Sequence, residues 1–427
     1  MIEIEPVRAW GSEEREIPAV VACALAASGV VKVSPARPPW RWRIETGSHV
    51  GIIVGEGWEL RIRPHIEVPK LLFLLTYSLV PDGWEGVLTA MQSECDVVQA
   101  LASGFCLHAG RVMEQGLLRG YVAVDERRGD LRGRVRFKDQ LAQLAGLPLP
   151  LEVSYDDFTV DIHENRLLRT ATEKLLKLAR IPPQARARLC RLRAMLEQVD
   201  LLPERQRVAL PPITRVNQHY QGALVLGKLI LDGTSLCQEH GAFASRSFLF
   251  DMNEVFESFL FRALKDSMRR FGGVVQGQVS GALDGAPIPG LPLRADIVWR
   301  KHGRVQAVID AKYKTLVGHS STLNQDAYQM LAYCIAFGVQ RGLLVYARDE
   351  LNLPRSYQIK RHGYEIDLRS VGIEQEPPLL LREVDRIAAE VVQRAHDSSA
   401  SLAHIAGRRR VMPARLQRPL QGVGGAI

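Results

Sequence analysis

The sequence predicts a mixed α/β protein, because helical and strand-like patterns alternate along its C-terminal part. A helix with one apolar stripe begins at Met252, and a strand follows at Val274 to Val279. Two apolar, β-branched runs then flank a short basic turn between Leu293 and Tyr313, which is typical of a β-hairpin. A further helix from about Asn324 to Phe337 and a buried strand from Arg341 to Ala347 complete a mixed sheet flanked by helices.

Composition sets the broad class of the protein. The chain has 427 residues, of which 46% are hydrophobic and 24% are charged, as in ordinary globular proteins with two or three domains. Its net charge of +8 favours a polyanionic partner such as nucleic acid, although the charge alone does not identify one. We predict an N-terminal α+β region over residues 1–240, a mixed α/β domain over 241–395 and a basic flexible tail over 396–427. A linker is predicted at residues 232–246.

Cellular location follows from what the sequence lacks. The six cysteines are scattered, without the spacing of a zinc site or a disulfide framework. The first residues are acidic, and no segment is long and apolar enough to span a membrane. These features predict a cytoplasmic protein without a membrane partner. The apolar run Leu71–Tyr77 is accordingly interpreted as a buried core helix.

Three N-terminal segments allow more than one interpretation. The apolar stretch from Ile17 to Val33 favours a helix. Alternating arginines and apolar residues from Leu131 to Phe137 indicate a half-exposed strand, and its Arg132 and Arg134 can follow a DNA backbone, face solvent or dock an acidic protein surface. The acidic segment Tyr155–Arg166 suits either a metal site or the start of a helix, and we favour helix capping.

Charged residues inside the predicted hairpin point to chemistry. Asp296 lies in the first strand, and Asp310 and Lys312 lie near the end of the second, among residues that are otherwise apolar. Buried charges are costly unless they are paired or bind a metal. If Arg300 pairs with Arg304 across a three-residue loop, Asp296 lies opposite Val308 and shares a sheet face with Asp310. A shift of one residue would place Asp296 on the other face.

Helical residues can add to this group. Glu257 lies at the margin of the stripe that begins at Met252, where it can lean towards the sheet or remain an exposed boundary residue. Gln329 and Tyr333 lie one turn apart on the next helix, where they can reach the same site or form an ordinary surface pair.

This ordered set resembles the PD-(D/E)XK nuclease superfamily. Glu257 falls on the first helix, Asp296 on the second strand and Asp310-Ala311-Lys312 on the third, while Gln329 and Tyr333 match the QxxxY signature of the RecB-like branch. Ala295 stands where the motif has proline, at a position that is not a ligand. The resemblance implies a restriction-endonuclease-like domain with an αβββαβ core.

The whole chain also resembles the McrC family, the nuclease subunit of McrBC-type modification-dependent restriction systems. The similarity rests on the segments Asp251–Glu257, Leu131–Arg134, Asn165–Leu168 and Tyr328–Tyr333. It implies that the N-terminal half docks onto a hexameric, McrB-like AAA+ GTPase and stimulates it. The sequence contains no GxxxxGK[ST], so GTP would act only through that partner, which would also recognise the modified base.

The expected function is therefore Mg²⁺-dependent or Mn²⁺-dependent cleavage of double-stranded, modified DNA in an anti-phage restriction complex. Asp296, Asp310, the Ala311 carbonyl and Glu257 are the expected metal ligands, and Lys312 is expected to act on the attacking water or the phosphate. Lys301, Arg304 and Lys314 are the nearest candidates for phosphate contacts. The alternatives are a RecB-like repair or defence nuclease with another motor, and a subunit that activates a GTPase without cleaving DNA.

Overall fold

The computed structural model describes residues 2–88, 96–144, 149–178, 181–203, 208–239, 247–283, 290–313, 320–347, 354–359 and 363–409, with backbone alone for 143–144, 235–239, 320–322 and 396–409. Helices and strands alternate throughout these residues, so the predicted mixed α/β class is confirmed. No helix among them is long and apolar enough to cross a lipid bilayer.

Two sheets form the N-terminal region. The larger has the order β1-β6-β5-β10, and the smaller has the order β2-β4-β3. Their strands are β1 (Ile2–Arg8), β2 (Ser12–Glu16), β3 (Val31–Pro35), β4 (Arg41–Thr46), β5 (His49–Gly55), β6 (Trp58–Arg63) and β10 (Phe248–Asp251).

Helices cover these sheets and supply most of the N-terminal core. They are α1 (Ala19–Ala27), α2 (Val68–Leu79), α3 (Trp84–Leu88), α4 (Val97–Gln115), α6 (His163–Lys177), α7 (Pro183–Met195) and α8 (Gln221–Glu239). The predicted core helix at Leu71–Tyr77 is confirmed, since all of its side chains are buried within α2. Asp96 begins α4 by accepting hydrogen bonds from the backbone N–H groups of Val98 and Gln99.

Two N-terminal predictions are wrong in extent. The apolar stretch 17–33 is not one helix, because α1 ends before Gly29, which adopts a left-handed φ of 69°, and β3 follows. The predicted linker at 232–246 begins inside α8, whose apolar face packs on α4 and α6. Residues 240–246 of that prediction lie outside the described residues.

A third sheet, with the order β7-β9-β8, forms a separate unit with one helix, and we call this unit the β-arm. It consists of β7 (Gly120–Arg128), β8 (Arg134–Val135), α5 (Phe137–Leu144) and β9 (Leu151–Thr159). No residue of β7 is buried. The predicted strand at Leu131–Phe137 is therefore largely wrong, because Gly133 turns the chain with a φ of 71° and α5 begins at Phe137.

The base of the β-arm is fixed by a buried polar network. The Asn165 amide donates to the carbonyl oxygens of Leu118 and Val160, and its own oxygen accepts from the Tyr220 hydroxyl. That hydroxyl also accepts from the Leu118 N–H at 2.8 Å. Because Leu118 precedes β7 and Val160 follows β9, the network holds both ends of the arm against α6 and the segment leading into α8.

The helix predicted to begin in the acidic segment is confirmed as α6, but the acidic side chains do not cap it as predicted. The residue that precedes the helix is Ile162, which provides no side-chain cap. Asp161 instead accepts two hydrogen bonds from the Arg166 guanidinium, at 2.7 and 2.6 Å, and one from the Asp200 N–H. The Arg166 pair holds the pKa of Asp161 below its usual range.

The C-terminal part contains a six-stranded mixed sheet of order β11-β12-β13-β14-β16-β15. Its strands are β11 (Val274–Ala282), β12 (Pro292–Lys301), β13 (Arg304–Lys312), β14 (Arg341–Tyr346), β15 (Arg355–Gln358) and β16 (Glu365–Ser370). The helices are α9 (Met252–Met268), α10 (Ser320–Phe337) and α11 (Pro377–Arg409). The predicted order of helix, three strands, helix and strand is therefore observed.

The two faces of this sheet have separate apolar cores. Ile297, Ile309 and Leu343 share one core with α9 and α11. Val298, Val308 and Leu344 share the other with Met330 and Tyr333 of α10. The predicted apolar stripe of α9 is buried as expected, from Met252 to Leu264.

The hairpin between β12 and β13 differs from the predicted one in register. Lys301, not Arg300, pairs with Arg304, because His302 and Gly303 form a two-residue turn with left-handed φ values of 53° and 74°. The register then shifts between Trp299 and Arg300, where Gln306 is an extra residue on β13. Beyond this bulge Ile297 pairs with Ile309, and continuing this register places Asp296 opposite Asp310 instead of Val308.

The predicted division at residue 240 stays a prediction, and one strand crosses it. β10 lies after the boundary yet pairs with β5 of the N-terminal sheet, and it leads directly into α9. The N-terminal and C-terminal parts also share apolar contacts, such as the Phe73 and Phe259 rings with centroids 5.7 Å apart. At the other end, α11 continues into the segment predicted to be a tail, and residues 410–427 lie outside the described residues.

Candidate active site

The candidate site lies where the β12–β13 hairpin meets α9 and α10. Asp310 is the most buried of its charged residues, with 1% of its surface exposed. Asp296 on the neighbouring strand accepts a hydrogen bond from the Ala311 N–H at 3.0 Å. The two predicted carboxylates therefore converge, although by a register that the sequence did not predict.

Lys312 is held between a carboxylate and an amide. Its Nζ atom lies 2.5 Å from Asp310 Oδ2 and donates to Gln329 Oε1 at 3.0 Å. Gln329 Nε2 in turn contacts the Tyr333 hydroxyl at 2.7 Å, and that hydroxyl donates to the Arg294 carbonyl of β12, also at 2.7 Å. These contacts link Lys312 through α10 back to the strand that carries Asp296.

Burial and the repulsion between like charges destabilise the ionised forms of the carboxyl groups in this site. Burial and the repulsion of nearby Asp296 raise the pKa of the Asp310 carboxyl. Burial, followed by the charges of Asp296 and Glu254, raises the pKa of Glu257 to about 7. Burial favours neutral Lys312, but the attraction of Asp310 outweighs it and the pKa of the ammonium is raised. Lys312 is therefore a fixed positive charge at neutral pH.

Glu257 reaches the site from α9 with a partner that the sequence did not predict. The Gln278 amide of β11 donates a hydrogen bond to Glu257 Oε1. Gln278 also has a left-handed φ of 52°, although it lies within a strand. The only sequence feature that could have indicated an unusual backbone at Gln278 is the preceding Gly277, since an isolated glycine in a strand can mark an irregularity.

The donor set suits a hard divalent cation. Asp310 is buried, and apart from the ion pair with Lys312 neither of its oxygens accepts a hydrogen bond of normal geometry. A cation between Asp310 and Asp296 would relieve the repulsion that raises the Asp310 pKa. Across the described residues, however, no group of three or more His, Cys, Asp or Glu side chains is close enough to form a preformed metal cluster. The fit thus rests on two carboxylates and the Ala311 carbonyl, with Glu257 nearby.

The described residues proposed to contact DNA lie in two places. Arg304 is exposed at the turn end of the hairpin, and Lys301 beside it donates to the Phe271 carbonyl at 2.9 Å. Both therefore lie at the turn end of the hairpin, away from Asp310. Arg132 and Arg134 lie on the β-arm, where Arg132 pairs with Asp157 at 2.6 Å and covers the Tyr155 ring. Lys314 lies outside the described residues.

Comparison with known proteins gives one family match. Residues 44–347 match the sequence model of a family described as McrBC 5-methylcytosine restriction system component. Among curated proteins, no sequence matches the chain significantly.

Solved structures provide a similarity of fold. One is a half-complex of a tetradecameric assembly of Thermococcus gammatolerans McrB AAA+ hexamers with bound McrC, in which the matched chain is 17% identical with a TM-score of 0.54. The match covers 90% of this chain and 99% of that one. A second is the Thermococcus gammatolerans McrBC complex, at 17% identity and a TM-score of 0.39. That match covers 62% of this chain and 88% of the other.

Proposed function

We propose, because the chain belongs to the family of McrBC 5-methylcytosine restriction system components, that it is the DNA-cleaving subunit of a modification-dependent restriction complex. The single observation that carries the proposal is the convergence of Asp296, Asp310 and Lys312 at one end of the β12–β13 hairpin. With Glu257 on α9 and Gln329 and Tyr333 on α10, this set matches the ordered motif of PD-(D/E)XK nucleases.

In this proposal Asp296, Asp310 and the Ala311 carbonyl hold Mg²⁺ or Mn²⁺, with Glu257 as a further ligand. A bound divalent cation supplies Lewis-acid stabilisation of the charge that develops on the phosphate during hydrolysis. The residues must first exclude bulk water around Asp310, and its burial meets that need.

Lys312 supplies the fixed positive charge of the site. Its ammonium can donate to the scissile phosphate or orient the attacking water, while Gln329 limits the directions in which it points. Tyr333 positions Gln329 and, through the Arg294 carbonyl, ties α10 to β12. Gln329 and Tyr333 are thus positioning residues in this mechanism.

A motor partner would deliver the DNA. The matched Thermococcus assembly consists of McrB AAA+ hexamers with bound McrC, and we propose a McrB-like AAA+ GTPase as the partner of this chain. The β-arm offers a surface for this contact. Six large apolar side chains are exposed on the described residues of the β-arm and its connections, which is unusual for a surface that remains in water: Tyr121, Leu131, Phe137, Leu141, Leu149 and Phe158.

A cleavage assay tests the proposal. Variants of the full chain are incubated with the GTPase partner, GTP and Mg²⁺, and cleavage of methylated and unmethylated DNA is measured. Asp310→Asn and Lys312→Ala are expected to lower cleavage of methylated DNA by at least about 100-fold, because each removes a charge that acts in the transition state. Both should still stimulate the GTPase, since the β-arm is unchanged. Asp385→Asn, a partly exposed carboxylate on α11, is the matched control and should cleave normally.

Full cleavage by Asp310→Asn or Lys312→Ala would overturn the proposed site. If the unaltered chain stimulates the GTPase but cleaves neither DNA, the non-cleaving interaction subunit becomes the correct alternative. Cleavage that is independent of any GTPase partner and of methylation would instead favour a RecB-like nuclease.

A further inference from the structure

Along both β11 and β12, the alternation of side chains between the two faces of the sheet inverts at one position. An ideal Cβ on Gly277 would lie 3.2 Å from the Phe261 ring of α9, so Gly277 faces α9. Two and four residues later the chain faces the other helix, because Val279 packs in the α10 core and a Cβ on Gly281 would lie 3.1 Å from Phe337. In a regular strand, residues two apart share a face. The alternation of β11 is therefore inverted at Gln278.

The paired strand β12 shows the same inversion. Ile297 belongs to the core under α9, whereas Ala295 belongs to the core under α10. The residue between them is Asp296, and the pairing of Gly277 with Ile297 and of Val279 with Ala295 places it opposite Gln278. The register of β11 with β12 is the same before and after Gln278, so no inserted residue causes the inversion. Asp296 consequently lies where the alternation inverts, half-buried between the two cores. We call this position the crossover.

The backbone of Gln278 provides the physical cause. A φ of 52° is left-handed, and a side chain at such a φ is strained unless the surrounding structure holds it there. Glycine would adopt this conformation without strain, yet the chain has glutamine. The glutamine side chain makes a contact that glycine cannot make, since its amide donates to Glu257 Oε1.

We propose that Gln278 is a positioning residue of the active site, whose left-handed backbone places Asp296 at the crossover between the two cores while its amide holds Glu257 beside it. The inference rests on the proposed function, in which Asp296, Asp310 and Glu257 bind a divalent cation. It assigns to β11 a role beyond pairing with β12. It also explains why a strained residue occurs in the strand next to the carboxylates.

Two positions on the same strand provide a matched test. Gln276 is exposed, has an ordinary φ and accepts a hydrogen bond from Arg300. Glycine and valine are introduced separately at Gln278 and at Gln276 in the full chain, and thermal unfolding is measured without metal. At Gln278, glycine should give a higher melting temperature than valine, because β-branched residues resist a left-handed φ. At Gln276 the order should be reversed, because glycine weakens a regular strand.

Mn²⁺ titration of the same variants by calorimetry tests the positioning role. Gln278→Val should weaken Mn²⁺ binding by about tenfold or more, a typical loss when a residue that orients a metal ligand is removed. Gln278→Gly retains the backbone and loses only the amide, so its loss should be smaller, about two- to fivefold. Gln276→Val should bind Mn²⁺ as the unaltered chain does.

Each outcome separates the two proposals. Unchanged Mn²⁺ affinity in Gln278→Val, or the same order of melting temperatures at Gln276 and Gln278, overturns the role of Gln278. If neither the unaltered chain nor Gln276→Val binds Mn²⁺, the proposed metal site fails, and the melting temperatures still decide the backbone role. Should Gln278→Val fail to fold, Gln278→Asn serves as the second variant, because asparagine tolerates left-handed backbone but its shorter amide should release Glu257 and weaken Mn²⁺ binding.

Discussion

At the scale of single residues, buried titratable groups outside the site should shape how stability depends on pH. His108 of α4 is 8% exposed, and its Nε2 atom lies 3.3 Å from the Val87 carbonyl. Its other ring nitrogen faces α8, where an ideal Cβ on Gly222 would lie 2.3 Å from Nδ1. Burial lowers the pKa of His108 below 6.5, because a second proton would meet this packed surface.

The unfolded chain therefore binds a proton at His108 at a higher pH than the folded chain does. The free energy of unfolding should fall as the pH decreases from about 7.5 through 6.5 towards the folded pKa, with a slope from this group of at most about 1.4 kcal/mol per pH unit. His108→Gln should lose this part of the slope in urea unfolding at several pH values. His302→Gln, at the exposed hairpin turn, should retain it, and equal slopes for all three proteins would contradict the prediction.

At the scale of elements, the β12–β13 turn determines how the two strands meet. His302 and Gly303 both have a left-handed φ, which the mirror-image two-residue turn of a hairpin requires. A Cβ on Gly303 would meet no atom within 4 Å, so its substitution has a backbone cost alone.

Gly303→Ala should therefore lower the free energy of unfolding by about 1 kcal/mol. Gly47 gives the matched control, because its surroundings are equally open and its φ is not left-handed. Urea unfolding of Gly47→Ala should differ little from that of the unaltered chain. A loss in Gly47→Ala as large as that in Gly303→Ala would show that the φ of Gly303 is not the cause.

The same hairpin shows what sequence can and cannot predict. Period-two alternation and a basic, glycine-containing turn were sufficient to place both strands and the charges on them. The register was not predictable, because the two-residue turn alone would offset Asp296 from Asp310 by one residue. The bulge at Gln306 corrects the offset. A glutamine within a strand pattern does not indicate a bulge, so nothing in the sequence pointed to it.

Gln278 was missed for a related reason. Its left-handed backbone accompanies a change of packing partner along β11 from α9 to α10, and no local propensity of glutamine favours it. By contrast, the apolar stripe of α9 and the Gln329–Tyr333 spacing follow from helix geometry alone. Periodicity therefore predicted the elements well, whereas the strained contacts between them required the structure.

At the scale of the whole molecule, the β-arm stands apart from the shared core. Tyr121 and Phe158 lie side by side on it, with ring centroids 5.0 Å apart, and are 76% and 53% exposed. Removing these rings should cost the folded chain little, because they bury little surface within it. We therefore predict that a partner covers them.

The double variant Tyr121→Ser, Phe158→Ser should thus retain the melting temperature to within about 2 °C, as expected for surface substitutions. Stimulation of a McrB-like GTPase should fall by about tenfold or more, since buried aromatic residues contribute strongly to protein interfaces. Val20→Ser, which alters an 81% exposed side chain on α1, is the control and should stimulate normally. Full stimulation by the double variant would exclude the β-arm as the contact surface.

The junction between β10 and α9 has a mechanical consequence. Asp251 ends the strand that completes the N-terminal sheet, and its side chain caps the helix that carries Glu257. The next residue, Met252, donates its N–H to the Ser48 carbonyl just before β5 at 3.0 Å. Because β10 passes into α9 without an intervening loop, we expect any displacement of this edge of the N-terminal sheet to move the first turns of α9, which carry Glu257.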